Sequence, residues 1–373
     1  MKSIAITPEI FALLAANAPV AIGVSGGKDS SAVAFATVDY LDSIGHTGPR
    51  ILIHSDLGVT EWEQSREWCE RLAARLGLEL VIVRRAKGDM MQRWEQRWSD
   101  NVERYRTLRC VQLILPWSTP DMRFCTSEMK VDIICRELSN RYPGQTIVNV
   151  NGIRREESTA RACKPIWKEQ PKLTSKTRET VGVDWHPIIE WTLEEVLEYL
   201  RDVDFPLHPA YLVWMLTRVS CVFCIMSGME DLKNAARCPA NHMIYRRMVD
   251  LELVSTFAFQ GGKWLADVAP EILSDEQRSI VESVKAKGLK RQDLESWIPA
   301  DLLYEKGWPS TIPTKTAAAE LCRIRRAMSD LFDWDCQYVQ PGELIDRYEE
   351  LWLEQKTRAD KKAKSAAKKK PSI

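Results

Sequence analysis

The chain has 373 residues, 45% of them hydrophobic and 28% charged, the balance of a globular protein with one large domain and an appendage. Its 52 basic and 52 acidic residues cancel, but unevenly: residues 359–373 hold six Lys and one Asp, so residues 1–358 are net acidic. No run approaches the length of a membrane span, and the N-terminus lacks the apolar stretch and small-residue cleavage site of a secretory leader, so a cytoplasmic location without membrane contact is expected. Ten Cys in that setting point to reduced thiols, some of them ligands, rather than to a disulfide framework.

Within an N-terminal segment, 1–18, Thr7 and Pro8 read as the N-cap and first-turn residue of a helix over 9–17. Strands are expected at 19–25, 50–56, 78–84 and 145–151, and helices at 30–44, 60–77, 88–98 and 126–141. Strands separated by helical crossovers predict an α/β fold with a doubly wound parallel sheet, in which ligands sit beyond the carboxyl ends of the strands. Residues 162–184 are polar and aperiodic and read as a mobile flap. Thr192-Leu-Glu-Glu195 is a capping box, and Leu193, Val196, Leu197 and Leu200 follow at helical spacing. The core domain is placed at 19–240, a mostly helical region at 241–358, and a disordered lysine-rich tail at 359–373.

The most informative residues are Ser25-Gly26-Gly27-Lys28-Asp29-Ser30, between the apolar run Val20-Ala-Ile-Gly-Val24 and the helical pattern from Ser31. A strand running through Gly-Gly into a helix exposes backbone N–H groups where the helix dipole favours anions. Glycines let the main chain approach a phosphate, Lys28 adds a point charge, and Ser25 and Ser30 add hydroxyls. The loop is not a Walker A: Gly23 to Gly27 is one residue short, and Asp29 stands where the Mg²⁺-binding Ser/Thr belongs. Lys28 and Asp29 are the candidate catalytic residues.

Asp56 ends the second strand, where a carboxylate accepts from a ribose or holds a metal-bound water. Gly152-Ile-Arg154-Arg155-Glu156-Glu157-Ser158-Thr-Ala-Arg161 follows the last strand expected in the core and brings guanidiniums suited to phosphate or sulfate to the same edge. Cys221-Val-Phe-Cys224 is a C-x-x-C, Cys125 lies in Arg123-Phe-Cys-Thr-Ser-Glu-Met-Lys130, and Cys238 follows. Such thiolates suit Zn²⁺ or an iron–sulfur cluster. Cys69, Cys110, Cys135, Cys163, Cys322 and Cys336 read as inert thiols, Trp94 and Trp98 as core. His54, His186, His208 and His242 receive no chemistry.

Taken in order with Trp185-His-Pro-Ile-Ile-Glu-Trp191, His208-Pro-Ala-Tyr211 and Arg218-Val-Ser-Cys-Val-Phe-Cys224, these motifs make about residues 18–260 resemble the phosphoadenosine phosphosulfate (PAPS) reductase family, in particular its phage- and mobile-element-associated branch with an intact PP-loop. The resemblance implies an adenine-nucleotide α-hydrolase-like fold, with Ser25, Gly26, Gly27, Lys28, Asp29 and Ser30 on nucleotide phosphates. Asp56, Gly152, Arg154 and Arg161 would complete the nucleotide site. It also implies Cys125, Cys221 and Cys224 as ligands of a 4Fe–4S cluster. Phe124 replaces one Cys of the family's tandem pair, so the fourth ligand would be Cys238, a non-Cys ligand or the substrate; Zn²⁺ is the alternative metal.

The expected activity is cleavage of ATP, with Mg²⁺, to AMP and pyrophosphate as an unidentified acceptor is adenylylated, with sulfur transfer through a cluster as an extension. The intact Lys28 and the lack of a C-terminal Glu-Cys-Gly-x-His set it apart from sulfonucleotide reductases. Thiol-dependent reduction of PAPS or adenosine phosphosulfate is the first alternative. The second is a nucleotide-binding regulator or nucleic-acid adaptor, whose lysine tail would give weak, salt-sensitive contact.

Overall fold

A computed structural model describes residues 2–367, the side chains of 362–367 excepted. The chain forms two compact units, one of residues 2–93, 118–248 and 267–272, the other of residues 94–117, 249–266 and 273–367.

The first unit is built on a six-stranded sheet: β1 (Val20–Val24), β2 (Arg50–Asp56), β3 (Glu79–Arg84), β4 (Thr146–Val150), β5 (Trp167–Glu169) and β6 (Val181–Trp185). The order is β3-β2-β1-β4-β6-β5, parallel except for the antiparallel edge strand β5. The chain winds outward from β1 to β2 and β3, then returns to place β4 on the other side of β1. A topological switch point therefore falls between β1 and β4, where such sheets bind ligands.

The alternation in β1 explains why the sheet is buried on both faces. Val20, Ile22 and Val24 face one core with helices α1 (Pro8–Ala15), α2 (Lys28–Ser43) and α3 (Ser65–Leu76), whereas Ala21 faces the other, beside Ile51, Ile53 and Leu138 of helix Asp132–Arg141. Ala32 through Ala36 of α2 are all buried, so the helix that starts at the phosphate loop is held on nearly every side.

The 162–184 segment is not a flap. It carries β5 and most of β6, which pairs with β4 from Thr146↔Val181 to Val150↔Trp185. Its polar composition hides a buried network: Asp184 accepts from Asn149 at 2.7 Å and from Gln170 at 2.8 Å. Side chains that pair with one another inside a fold leave no hydrophobic period to read. The strand at 146–150 is thus followed by two more.

The second unit is helical, with helices Asp275–Ser296, Lys315–Phe332 and Pro341–Ala367. Trp94 and Trp98 are buried there, as expected of core residues; Trp94 packs edge-on against Trp117 at 5.4 Å between ring centroids. The last helix runs into the lysine-rich tail as far as Ala367, and the remainder of that expected tail lies outside the described residues. No helix among the described residues is long and apolar enough to cross a membrane.

Candidate nucleotide site

The phosphate loop turns between β1 and α2. Gly26 adopts φ +74°, and a Cβ there would lie 3.2 Å from both the His208 ring and the Ser65 carbonyl oxygen, so the turn requires glycine. Ser30 closes the loop on itself: its Oγ accepts from the Ser25 N–H at 3.2 Å and donates to the Gly27 carbonyl at 2.8 Å. At the end of β4, a Cβ on Gly152 would stand 2.6 Å from the Asp29 carbonyl oxygen, so glycine is what lets the β4 edge meet the first turn of α2.

A cavity of about 200 Å³ opens at this junction. Ser25, Gly27, Lys28, Asp29, Ser30, Gly152 and Arg161 line it, as expected from the sequence. Lys28 is only 7% exposed; its Nζ donates to the Thr217 carbonyl at 2.9 Å and lies 4.7 Å from the centre of the Tyr211 ring. Burial pushes the Lys28 ammonium below its usual range, opposed by Asp29.

Three of the expected residues do not line the cavity: Gly26 makes the turn of the loop, and Arg154 and Asp56 stand elsewhere. Arg154 does not line the cavity: its Nε donates to Asp29 at 2.6 Å and its Nη1 to Glu156 at 2.5 Å, in a pair 5% exposed on the guanidinium side. Arg154 fixes Asp29 rather than facing a ligand. Asp56 lines a neighbouring cavity, caps the Gly58 N–H at 2.7 Å and lies 3.9 Å from Arg84.

Other lining residues were given no role from the sequence, although all those named here but Glu61 belong to motifs visible in it. Lys130, Arg218 and Tyr211 bring two further cations and a phenol, and Glu61 and Glu157 bring carboxylates. The Tyr211 oxygen accepts from the N–H groups of Lys28 and Val219, each at 3.2 Å. His208 positions this segment: its Nδ1 accepts from the Ala210 N–H at 3.0 Å, its ring packs on Trp68, and burial pushes its pKa down to about 4. Burial also lowers Arg161, with Arg218 adding to the effect. Glu157 pairs with Arg161 and lies 3.8 Å from Arg218.

The cysteines come only partly together. Cys221 lines the cavity, and a β-bridge to Glu61 with a Val222 N–H to Thr60 carbonyl bond of 2.8 Å pins its segment beside the loop after β2. Desolvation pushes the Cys221 thiol up to about 12, with Cys224 and Cys125 acting in the same direction. Cys238 is buried at the start of the turn Pro239–Asn241, and that burial pushes its thiol up. Among the described residues no three His, Cys, Asp or Glu side chains are grouped to hold a metal ion. Of the expected ligands, Cys125 and Cys224 both lie within electrostatic reach of Cys221. All ten cysteines are free of disulfides.

His54, unassigned from the sequence, is 2% exposed in β2. Burial works against its charge, but its contacts with Cys69 and Glu61 outweigh that and push its pKa up to about 10.

A glycine-rich loop at the switch point of a doubly wound sheet, opening onto a basic cavity at a helix N-terminus, is an arrangement suited to phosphate groups. The model of the phosphoadenosine phosphosulfate reductase domain matches residues 19–225, and the chain belongs to that family. An uncharacterized 37.8 kDa protein in the gpa 5′ region of Escherichia phage 186 is 26% identical over 247 residues, covering 57% of this chain and 68% of that one. The PAPS reductase of Candida auris in complex with phosphate is 15% identical at a TM-score of 0.34, covering 59% of this chain and 98% of that one. The FMN adenylyltransferase of Candida glabrata, solved with FMN and an ATP analogue, is 15% identical at 0.31, covering 55% and 56%. The U34-tRNA thiolase NcsA of Methanococcus maripaludis with its [4Fe-4S] cluster is 13% identical at 0.29, covering 85% and 83%.

Proposed function

We propose that the protein is an ATP-using PP-loop enzyme that transfers AMP to an acceptor oxygen and releases pyrophosphate. The observation that carries this reading is Lys28, a buried ammonium on the first residue of α2, in a cavity that Lys130, Arg161 and Arg218 also line. In the attack on the α-phosphorus, charge develops on the departing pyrophosphate. Lys28 and the loop N–H groups would stabilise that charge, the other cations would hold the remaining phosphate oxygens, and Mg²⁺ would enter bound to them. Asp29, held by Arg154, would keep the Lys28 side chain in register.

Thiol-dependent reduction of PAPS or adenosine phosphosulfate is the second reading, favoured by the family match. It requires a thiolate, whereas burial pushes the thiol of Cys221, which lines the cavity, upward and so disfavours that form. No step in either reading passes through a cluster.

The test is to incubate anaerobically purified protein with Mg-ATP and, separately, with PAPS plus a thiol donor, and to identify the products. AMP and pyrophosphate from ATP support the first reading. Sulfite and adenosine 3′,5′-bisphosphate from PAPS overturn it in favour of the second. Tight nucleotide binding with neither product points instead to a nucleotide-binding regulator.

A further inference from the structure

The helical unit has a cavity of its own, of about 600 Å³, inside the ~300–1,000 Å³ range of ligand sites. Three stretches line it: Arg104 and Arg109, the loop 304–309, and residues 351–359 of helix Pro341–Ala367. Neither reading of the phosphate cavity uses it.

Its charge is one-sided. Arg104, Arg109, Lys306 and Arg358 line it against a single carboxylate, Glu354, which lies 3.3 Å from Arg358. Four cations against one acid leave an excess of three. Arg104, Arg109 and Lys306 are exposed, and none of them is in an ion pair among the described residues. Residues 1–358 are net acidic, so this wall stands out from the rest of the chain. A concave surface lined by one sign of charge focuses its field on what enters.

The cavity also presents aromatic rings. Tyr304 is 68% exposed, with its ring 6.5 Å from that of Trp308 and tilted from it by 33°. Trp308 is fixed: its Nε1 donates to the Leu302 carbonyl at 3.0 Å, and its ring packs edge-on against buried Tyr348 at 5.5 Å. The loop is braced against the last helix, since a Cβ on Gly307 would stand 3.2 Å from the Gln355 amide nitrogen. A purely anionic ligand would leave the exposed ring unused, and an uncharged one would leave the cations unused. A base joined to phosphates uses both, stacking on the ring while its oxygens take the cations.

The positive charge does not stop at the cavity. Helix Pro341–Ala367 continues past Arg358 for about 14 Å, and its sequence there includes Lys361, Lys362 and Lys364. A strand can set its next phosphates along that helix, which a single nucleotide cannot. We propose that this cavity binds single-stranded nucleic acid, with a base stacked on Tyr304, phosphates on Arg104, Arg109 and Lys306, and the strand running on along the last helix. Such contacts recognise phosphates and base faces rather than sequence. Strand binding here is independent of what the phosphate cavity takes.

The probes are a short oligothymidylate and an abasic strand of the same length, which keeps the phosphates and lacks the bases. Titrated into the full chain and followed by fluorescence anisotropy, oligothymidylate is expected to bind about 10-fold more tightly. Tyr304→Ala is expected to remove that preference and leave the abasic affinity as it was. Replacing Arg104, Arg109 and Lys306 together by Gln is expected to reduce the slope of log affinity against log salt by about 2. Lys28→Ala is expected to change neither affinity. On the unsubstituted chain, a strand carrying 5-iodouracil is expected to crosslink to Tyr304 or Trp308 under ultraviolet light. Equal binding of the two strands would mean that charge alone attracts them and overturns the site, as does a base preference that survives Tyr304→Ala. An unchanged salt slope in the triple variant, or crosslinks confined to the lysines after Arg358, also overturns it. Loss of binding in Lys28→Ala would put the strand in the phosphate cavity instead. Thymidine monophosphate that displaces the strand at equal nucleotide concentration would make this a mononucleotide site and refute the strand.

Discussion

Replacing Arg154 by Met tests the division of labour between the two arginines of the Gly152–Arg161 segment. Arg154 is 5% exposed and Asp29 18%, with 2.6 Å between Nε and Oδ1. Removing one partner of a buried pair costs ~3–5 kcal/mol, because the other charge stays behind unpaired. Two contacts soften the loss: the Lys28 ammonium remains 3.8 Å from the other Asp29 oxygen, and Glu156 is half-exposed and keeps the Leu193 N–H at 2.6 Å. The expected destabilisation is therefore near the lower end, about 3 kcal/mol. Urea denaturation of Arg154→Met, Asp29→Asn and the double variant measures it as a cycle, with the double variant recovering part of the loss. Pyrophosphate affinity provides the contrast. Arg161→Met, which removes a cation from the cavity wall, should weaken it ~10-fold or more, and Arg154→Met much less. A cost under about 1 kcal/mol, no recovery in the double variant, or equal losses of affinity would refute the reasoning.

Three further outcomes are expected. Lys28→Ala should abolish pyrophosphate release while the circular dichroism spectrum stays unchanged; retained release would remove Lys28 from the mechanism. Gly152→Ala, whose Cβ would stand 2.6 Å from the Asp29 carbonyl and 2.9 Å from Val33, should destabilise by ~1–3 kcal/mol and weaken pyrophosphate binding, read by thermal melts and calorimetry. Burial pushes the His208 pKa down to about 4 in the fold from its ordinary 6.5, so the unfolded chain takes up a proton that the native one refuses. Its contribution is full above pH 6.5 and is lost as pH falls toward 4, on the order of 3 kcal/mol in all. His208→Asn should flatten that acid limb in urea melts at stepped pH, and an unchanged slope would show that other groups cause it.

The parts of this molecule legible in the sequence are those in which neighbours in the chain are neighbours in space. The phosphate loop is contiguous, so strand, glycines, lysine and helix start could be read together, and the hydrophobic runs marked β1 to β4 and their crossovers. The Gly152-Ile-Arg segment was legible as part of the site, but which guanidinium faces the cavity is decided by Asp29, 125 residues away from Arg154. Tyr211 and Arg218 stood inside recognised motifs, yet their place against Lys28 is a long-range contact that spacing does not encode. β6 was hidden because Asp184 is hydrogen-bonded by Asn149 and Gln170 rather than by water. Cys221-x-x-Cys224 is local, whereas a ligand set with Cys125 and Cys238 depends on tertiary placement, which spacing does not encode.

The sheet's outer limits bear on how the chain behaves when damaged. β5 is three residues long, and both Lys168 and Glu169 on it are exposed; at the opposite edge, β3 begins and ends on exposed Glu79 and Arg84. Short, charged borders of this kind discourage strands of other molecules from adding on. If β5 peels away, the unpaired main chain of β6 becomes a template, with Val181 already 46% exposed at its start. A lesion in the β5–β6 hairpin would then first appear as self-association of molecules whose phosphate loop is still intact.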